Sequence, residues 1–162
     1  NPARPGLLRL LALLVSLAAT PGVAQTLVNL NEGTQLAITA DHAGESIGFD
    51  LAGRIWLASI ADGRGRPLTL LSDQDSRPAL SPDGSQLAFE RRFGQRHHIM
   101  LMQLASNEVR QLTFGAYDHH APSWHPDGQR LLMASDRGGD YGIWEVDLAT
   151  QGLRQLSFLS FR

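Results

Sequence analysis

Past the first two dozen residues, apolar and polar positions alternate with a period of two, and Gly, Asp or Asn interrupts the alternation every few residues. "QLAFE" sets Leu87 and Phe89 on one face with polar neighbours on the other. "HIMLMQL" and "GIWEVDL" read as further strands, and "VRQLTF" and "LRQLSF" close the series. Short period-two runs bounded by turn residues predict β-strands. No later stretch sustains a helical period, so an all-β chain is expected.

The strands recur as a unit. Residues 78–118 superpose on 122–162 without a gap, so that Pro78, Pro82, Asp83, Gly84, Leu87, Gly94, Ile99 and Leu104 fall on Pro122, Pro126, Asp127, Gly128, Leu131, Gly138, Ile143 and Leu148. The period is 44 residues, and it also lays "RQLTF" on "RQLSF". A weaker copy lies upstream: Ile55, Leu68 and Thr69 keep the same spacing, while Gly44, Ile47 and Phe49 match Gly84, Leu87 and Phe89 after a shorter hairpin. A repeat of about 40 to 45 residues with four strands is the signature of a propeller blade. The expected fold is therefore a partial β-propeller of about three four-stranded antiparallel blades, over residues 25–162.

Two turns punctuate the repeat, Pro82-Asp83-Gly84 and Pro126-Asp127-Gly128. Proline presets φ at the first corner, aspartate accepts a bond from the backbone ahead of it, and glycine takes the positive φ that closes the turn. Such a corner fixes hairpin register, which decides whether Leu87 and Phe89 face a neighbouring sheet or water. Trp56, Trp124 and Trp144 fall at or near inward positions and are expected to pack between blades.

The N-terminus follows another pattern. Arg4 and Arg9 precede the apolar run "LLALLVSLAA", and Pro21, Gly22 and the small residues of "GVAQ" lead to a cut after Ala24. This is the three-part plan of a secretory signal peptide, with a run shorter than the roughly 20 residues of a membrane span. Residues 1–24 are thus expected to direct the protein to the periplasm or outside the cell, leaving no membrane span after cleavage. Because a ring of four to eight blades does not close with three, the chain is expected to be a piece of a longer protein. Alone it would expose unpaired strand edges and an apolar flank.

Charge narrows the partners. Sixteen acids face fourteen bases, for a net charge of −2, and every base is an arginine. Those arginines are scattered, so neither a phosphate groove nor a nucleic-acid partner is indicated. The absence of cysteine removes disulfides and thiolate chemistry. The chain has no His-x-His on a strand, no His-Glu-x-x-His and no Gly-x-Ser-x-Gly elbow. No catalytic residue, cofactor or metal is assigned from these motifs.

The phrases "PALSPDGSQLAFE", "PSWHPDGQRLLMASDRGGDYGIWEVDL" and "RQLTF" resemble the repeat of TolB-type β-propellers over most of residues 32–158. His125 replaces a usual serine, and Leu80 a usual tryptophan. The segment "EGTQLAITADHAGESIGFDLAGRIWLASI" is similar to the start of the propeller that precedes the catalytic domain in some secreted amidohydrolases. Propellers also precede the catalytic domain in oligopeptidase-like serine hydrolases. The resemblance implies a non-catalytic scaffold for a protein or peptide ligand, or the N-terminal propeller of a hydrolase whose partner is the catalytic domain of the same full-length chain.

One stretch invites a site. In "YDHHAPSW", His119 precedes Pro122 by the same three residues that separate Asp75 from Pro78. On equivalent blades these residues occupy matching places on neighbouring innermost strands, near the mouth of the central channel. Asp75, Asp118, His119 and His120 are therefore the candidate rim residues, suited to a cation, a peptide or a substrate group. His97 and His98 are expected as a solvent-facing pair, and "SDRGGDYG" as a charged hairpin tip.

Overall fold

A computed structural model describes residues 36–157; the segment read as a signal peptide, 1–24, lies outside the described residues. Twelve strands form three sheets, each a four-stranded antiparallel meander in chain order. The first holds β1 (Ile38–Ala40), β2 (Ser46–Leu51), β3 (Arg54–Ser59) and β4 (Gly65–Pro67). The second holds β5 (Asp75–Leu80), β6 (Gln86–Phe93), β7 (Arg96–Gln103) and β8 (Glu108–Gln111), and the third β9 (His119–Trp124), β10 (Arg130–Ser135), β11 (Gly142–Asp147) and β12 (Leu153–Gln155). The helical content of the described residues is one 3₁₀ turn, Leu71–Asp73.

The repeated phrases have repeated tasks. At Pro82-Asp83-Gly84 the Gly84 amide donates to the Ser81 carbonyl at 2.9 Å with φ of 68°, and at Pro126-Asp127-Gly128 the Gly128 amide donates to the His125 carbonyl at 2.9 Å with φ of 67°. The aspartates accept from the amides of Ser85 at 3.1 Å and Gln129 at 2.8 Å. The "LT" step is equally regular: the Ile55, Ile99 and Ile143 amides donate to the hydroxyls of Thr69, Thr113 and Ser157 at 3.0, 2.9 and 3.0 Å. In each blade, that bond pins the chain leaving the outer strand to the third strand.

The core lies between sheets. Ile55, Leu80, Leu87, Phe89, Met100 and Met102 fill the space between the first and second. Ala88, Ile99, Leu101, Leu112, Leu131, Met133 and Val146 fill that between the second and third. The middle sheet is covered on both faces, which is why β7 reads as a continuous apolar run; only a half-exposed sheet shows clean alternation. The expectation that the neighbours of Leu87 and Phe89 point to solvent fails here. Ala88 packs against the third sheet, and Glu90 is 2% exposed.

Register equivalents show what coverage does. Ile55 and Ile99 are 0% exposed, whereas Ile143, with no described sheet against it, is 40% exposed. The tryptophans divide their roles. Trp124 joins two blades, its indole donating to the Ala79 carbonyl at 2.8 Å. Trp144 packs on the edge of the second core cluster, and Trp56 stacks on Phe49 of its own blade, with ring centroids 6.4 Å apart.

Candidate functional site

The innermost strands carry a fault in the same place. Ser76 pairs with Glu90 and Ala79 with Ala88, so Arg77 and Pro78 together oppose Phe89; likewise Ala121 and Pro122 oppose Met133. These are β-bulges, and proline suits them because it offers no N–H to the ladder. Arg77 and Ala121 adopt φ of 48° and 51°, a region unfavourable to side chains with a Cβ.

A carboxylate of the preceding blade holds each bulge. The Arg77 amide donates to Asp50 Oδ2 at 2.8 Å, and the Ala121 amide to Glu90 Oε1 at 2.6 Å. Asp50 and Glu90 are each the fifth residue of equivalent second strands. Asp50 also accepts the Ala37 amide through Oδ1 at 2.8 Å, so one carboxylate ties the first strands of two blades. Blades are thus joined by directed polar bonds at the inner edge as well as by apolar packing.

These inner edges border a cavity of about 1080 Å³. Its lining comes from all three blades and includes Asp50, Asp75, Arg77, Glu90, His97 and His120. The wall is polar and carries both signs of charge. It lies at the end of the innermost strands opposite the Pro-Asp-Gly corners.

On this rim Asp118 gathers side chains from two blades. Its Oδ1 lies 3.2 Å from His97 Nδ1 and its Oδ2 3.1 Å from His120 Nε2. The His97 amide also donates to Oδ1, at 2.6 Å, and the Tyr141 hydroxyl to Oδ2, at 3.3 Å. Burial opposes ionisation of Asp118, but the His97 amide and the His120 ring outweigh it and hold the carboxyl down at about 2. The metal-ligating atoms of His97, Asp118 and His120 all lie within 4.8 Å of one another. The Asp118 amide in turn donates to Asp136 Oδ1 at 2.8 Å, so the "SDRGGDYG" loop also positions this loop.

Of the four rim residues expected from the sequence, Asp118 and His120 come together, and Asp75 and His119 do not join them. Asp75 starts β5, but its carboxylate is 0% exposed and held by Arg91 in a two-pronged pair, at 2.7 and 2.9 Å. His119 starts β9, also 0% exposed, and neither of its ring nitrogens has a hydrogen-bond partner. His98 is buried too, its ring between Phe93 and His119, so the expected solvent-facing histidine pair is not formed. His119 packs against His98 of the second blade, whereas His120 and Arg77 border the cavity.

Burial pushes His119 down to about 4, with the charges of His98 and Arg137 adding to the effect. The folded value lies below the unfolded one, so the unfolded chain binds the proton first. Stability is therefore complete above about pH 6.5 and falls as pH drops towards 4. Urea denaturation is expected to show a loss of about 2 kcal/mol between pH 7.5 and pH 5 from this group, absent in His119→Leu. An equal loss in that variant would assign the pH dependence elsewhere.

His97 was not anticipated as a rim residue, yet the 44-residue register carried a signal. It places His97 of the second blade on Tyr141 of the third, and the two flank Asp118 from either side. Glu90 was missed because a carboxylate within an alternating strand reads as a solvent-facing residue.

Three consecutive four-stranded meanders, stacked face to face with their first strands around a cavity, define a run of β-propeller blades. The chain belongs to the TolB beta propeller domain family, matched over residues 48–161. No curated protein matches it in sequence. Among solved structures it is similar to TolB from Acinetobacter baumannii, with 21% identity and a TM-score of 0.66 over 77% of this chain and 33% of that one. It is also similar to a puromycin-hydrolyzing peptidase of Mycobacterium tuberculosis, with 16% identity and a TM-score of 0.62 over 79% of this chain and 23% of that one. The β-propeller domain of the Trilobed protease from Pyrococcus furiosus gives 15% identity and a TM-score of 0.58 over 76% of this chain and 42% of that one. At these identities the likeness is one of fold, and the chain spans less than half the length of each. Among the described residues no helix is long and apolar enough to cross a membrane.

Proposed function

We propose that this chain is an exported scaffold that recognises a protein or peptide ligand at the mouth of its channel and carries out no chemistry itself. The observation behind this reading is the open cavity of about 1080 Å³, whose polar lining is contributed by each of the three described blades. Arg77, 53% exposed in its side chain although Nη1 pairs with Glu90, presents cationic donors, and His97 and His120, 28% and 21% exposed, present imidazoles beside it, a mixed polar lining suited to an extended peptide. Export rests on residues 1–24, and predicts a mature protein beginning at Gln25, to be read by N-terminal sequencing of the secreted product. An array of immobilised peptides probed with the intact protein tests recognition. Peptides that bind are expected to lose about tenfold or more in affinity to Ser76→Trp, whose indole would fill the mouth. Binding that this variant leaves unchanged contradicts the reading.

A second reading is favoured by the company the fold keeps. Two of the similar structures are named as a peptidase and a protease, and this chain spans 23% and 42% of them. On that reading the chain is the propeller of a hydrolase, amidohydrolase-like by its "EGTQLAITADHAGESIGFDLAGRIWLASI" segment, and its partner is the catalytic domain. A His-x-His strand or a Gly-x-Ser-x-Gly elbow in the coding sequence downstream decides for it.

A further inference from the structure

We propose that His97, Asp118 and His120 form a binding site for a divalent transition-metal ion, with zinc the best-matched probe, that clasps the second and third blades together at the channel mouth. This goes beyond the recognition reading and does not depend on it.

Donor spacing is the first support. A tetrahedral ion with bonds of about 2.0–2.1 Å holds its donors roughly 3.3 Å apart. His97 Nδ1 and His120 Nε2 stand 3.2 and 3.1 Å from the two oxygens of Asp118, and all three donors fall within 4.8 Å. Small side-chain adjustments bring one carboxylate oxygen and both nitrogens onto a common ion.

The second support is the hydrogen-bond arithmetic of His120. Its Nδ1 lies 3.1 Å from Glu90 Oε2 and its Nε2 3.1 Å from Asp118 Oδ2. Both partners are carboxylates and only accept, whereas a neutral imidazole donates through one nitrogen. Either protonation of the ring or an ion at Nε2 resolves the conflict, and with the ion Nδ1–H donates to Glu90 while the Nε2 lone pair goes to the metal. Glu90 is 2% exposed and is itself fixed by the Ala121 amide and Arg77. A buried carboxylate behind a histidine is the arrangement that orients metal-ligating imidazoles.

The third is access. The His97, Asp118 and His120 side chains are 28%, 20% and 21% exposed, and both histidines border the cavity. The donors are held yet reachable, which leaves a coordination position for water or a ligand from the channel. Two imidazoles and one carboxylate select a zinc-like ion over Mg²⁺ or Ca²⁺, which prefer oxygen donors.

The test uses the intact protein without a polyhistidine tag, stripped with a chelator, and titrates ZnSO₄ by calorimetry. One ion per chain and a raised melting temperature are expected, with no comparable response to MgCl₂. Asp118→Asn and His97→Ala are each expected to weaken binding by about 100-fold or more, because loss of even an outer partner costs 10- to 100-fold. His42→Ala, an exposed histidine away from the cluster, is expected to change nothing. Should those variants fold poorly, the absorption spectrum of bound Co²⁺ in the unaltered protein serves instead, with a pattern of two nitrogens and oxygen in low coordination number expected. No saturable binding, equal binding of Mg²⁺, unaltered affinity in folded Asp118→Asn, or a six-coordinate Co²⁺ spectrum typical of loosely held surface ions would overturn the site. Loss of peptide recognition with metal binding intact would count against the recognition reading alone.

Discussion

Glu90→Ala is expected to lower the stability of the protein by about 3–5 kcal/mol, the range for breaking a buried charged network by removing one partner. The carboxylate is 2% exposed and accepts from the Ala121 amide at 2.6 Å, from His120 Nδ1 at 3.1 Å and from Arg77 Nη1 at 3.1 Å. Its loss leaves the amide of a residue at φ of 51° without its carboxylate, at the point where the third blade meets the second. Arg77→Ala removes only a half-exposed partner and is expected to cost about 1 kcal/mol or less. Urea denaturation of the two variants measures the difference. Equal, small losses would mean that the inner-edge bonds contribute little and apolar packing alone joins the blades.

Arg91→Ala carries the other large effect, again about 3–5 kcal/mol. Asp75 is 0% exposed and its two oxygens take Arg91 Nε at 2.7 Å and Nη2 at 2.9 Å, while Nη2 also reaches Asp73 at 2.9 Å. Asp75 draws the Arg91 guanidinium still higher above its ordinary range, as its proton serves that bond. Removing the guanidinium strands a buried carboxylate. Asp75→Asn, which keeps hydrogen-bonding capacity and removes the charge, is expected to cost less than Arg91→Ala. The reverse order, measured by the same denaturation, would mean that Asp75 is not the group needing compensation.

Blade architecture was legible because turns and core positions are local. Pro82-Asp83-Gly84 sets its hairpin with bonds among neighbours in sequence, and the period of 44 repeats that local chemistry. Even the weak first copy keeps the corner, with Asp41 accepting the Gly44 amide through its carbonyl at 3.2 Å and the Glu45 amide through its side chain at 2.9 Å. The equivalence of Asp75 and His119 was legible as well, since they take matching places on β5 and β9.

Facing was not legible. A bulge at Arg77-Pro78 and Ala121-Pro122 turns the strand between its first residue and its last, so spacing from the proline does not say which residue meets the channel. Nor does one strand reveal that both its faces are covered. Glu90 and His98 look solvent-facing within their own hairpin and are buried because another blade lies against them. The meeting of His97 with Asp118 and His120 spans two blades and appears once the register of both is fixed.

A bond from each acid to the next blade's bulge joins the blades at their inner edge, and amide hydrogen exchange at Arg77 and Ala121 reads it out. Both amides lie outside the ladder, and their partners are Asp50 and Glu90 on the preceding blade. Stacked blades predict slow exchange at both positions, with Ala121 alone accelerated in Glu90→Ala. Exchange of both amides at the rate of an open chain, in a protein whose strand interiors remain protected, would contradict it.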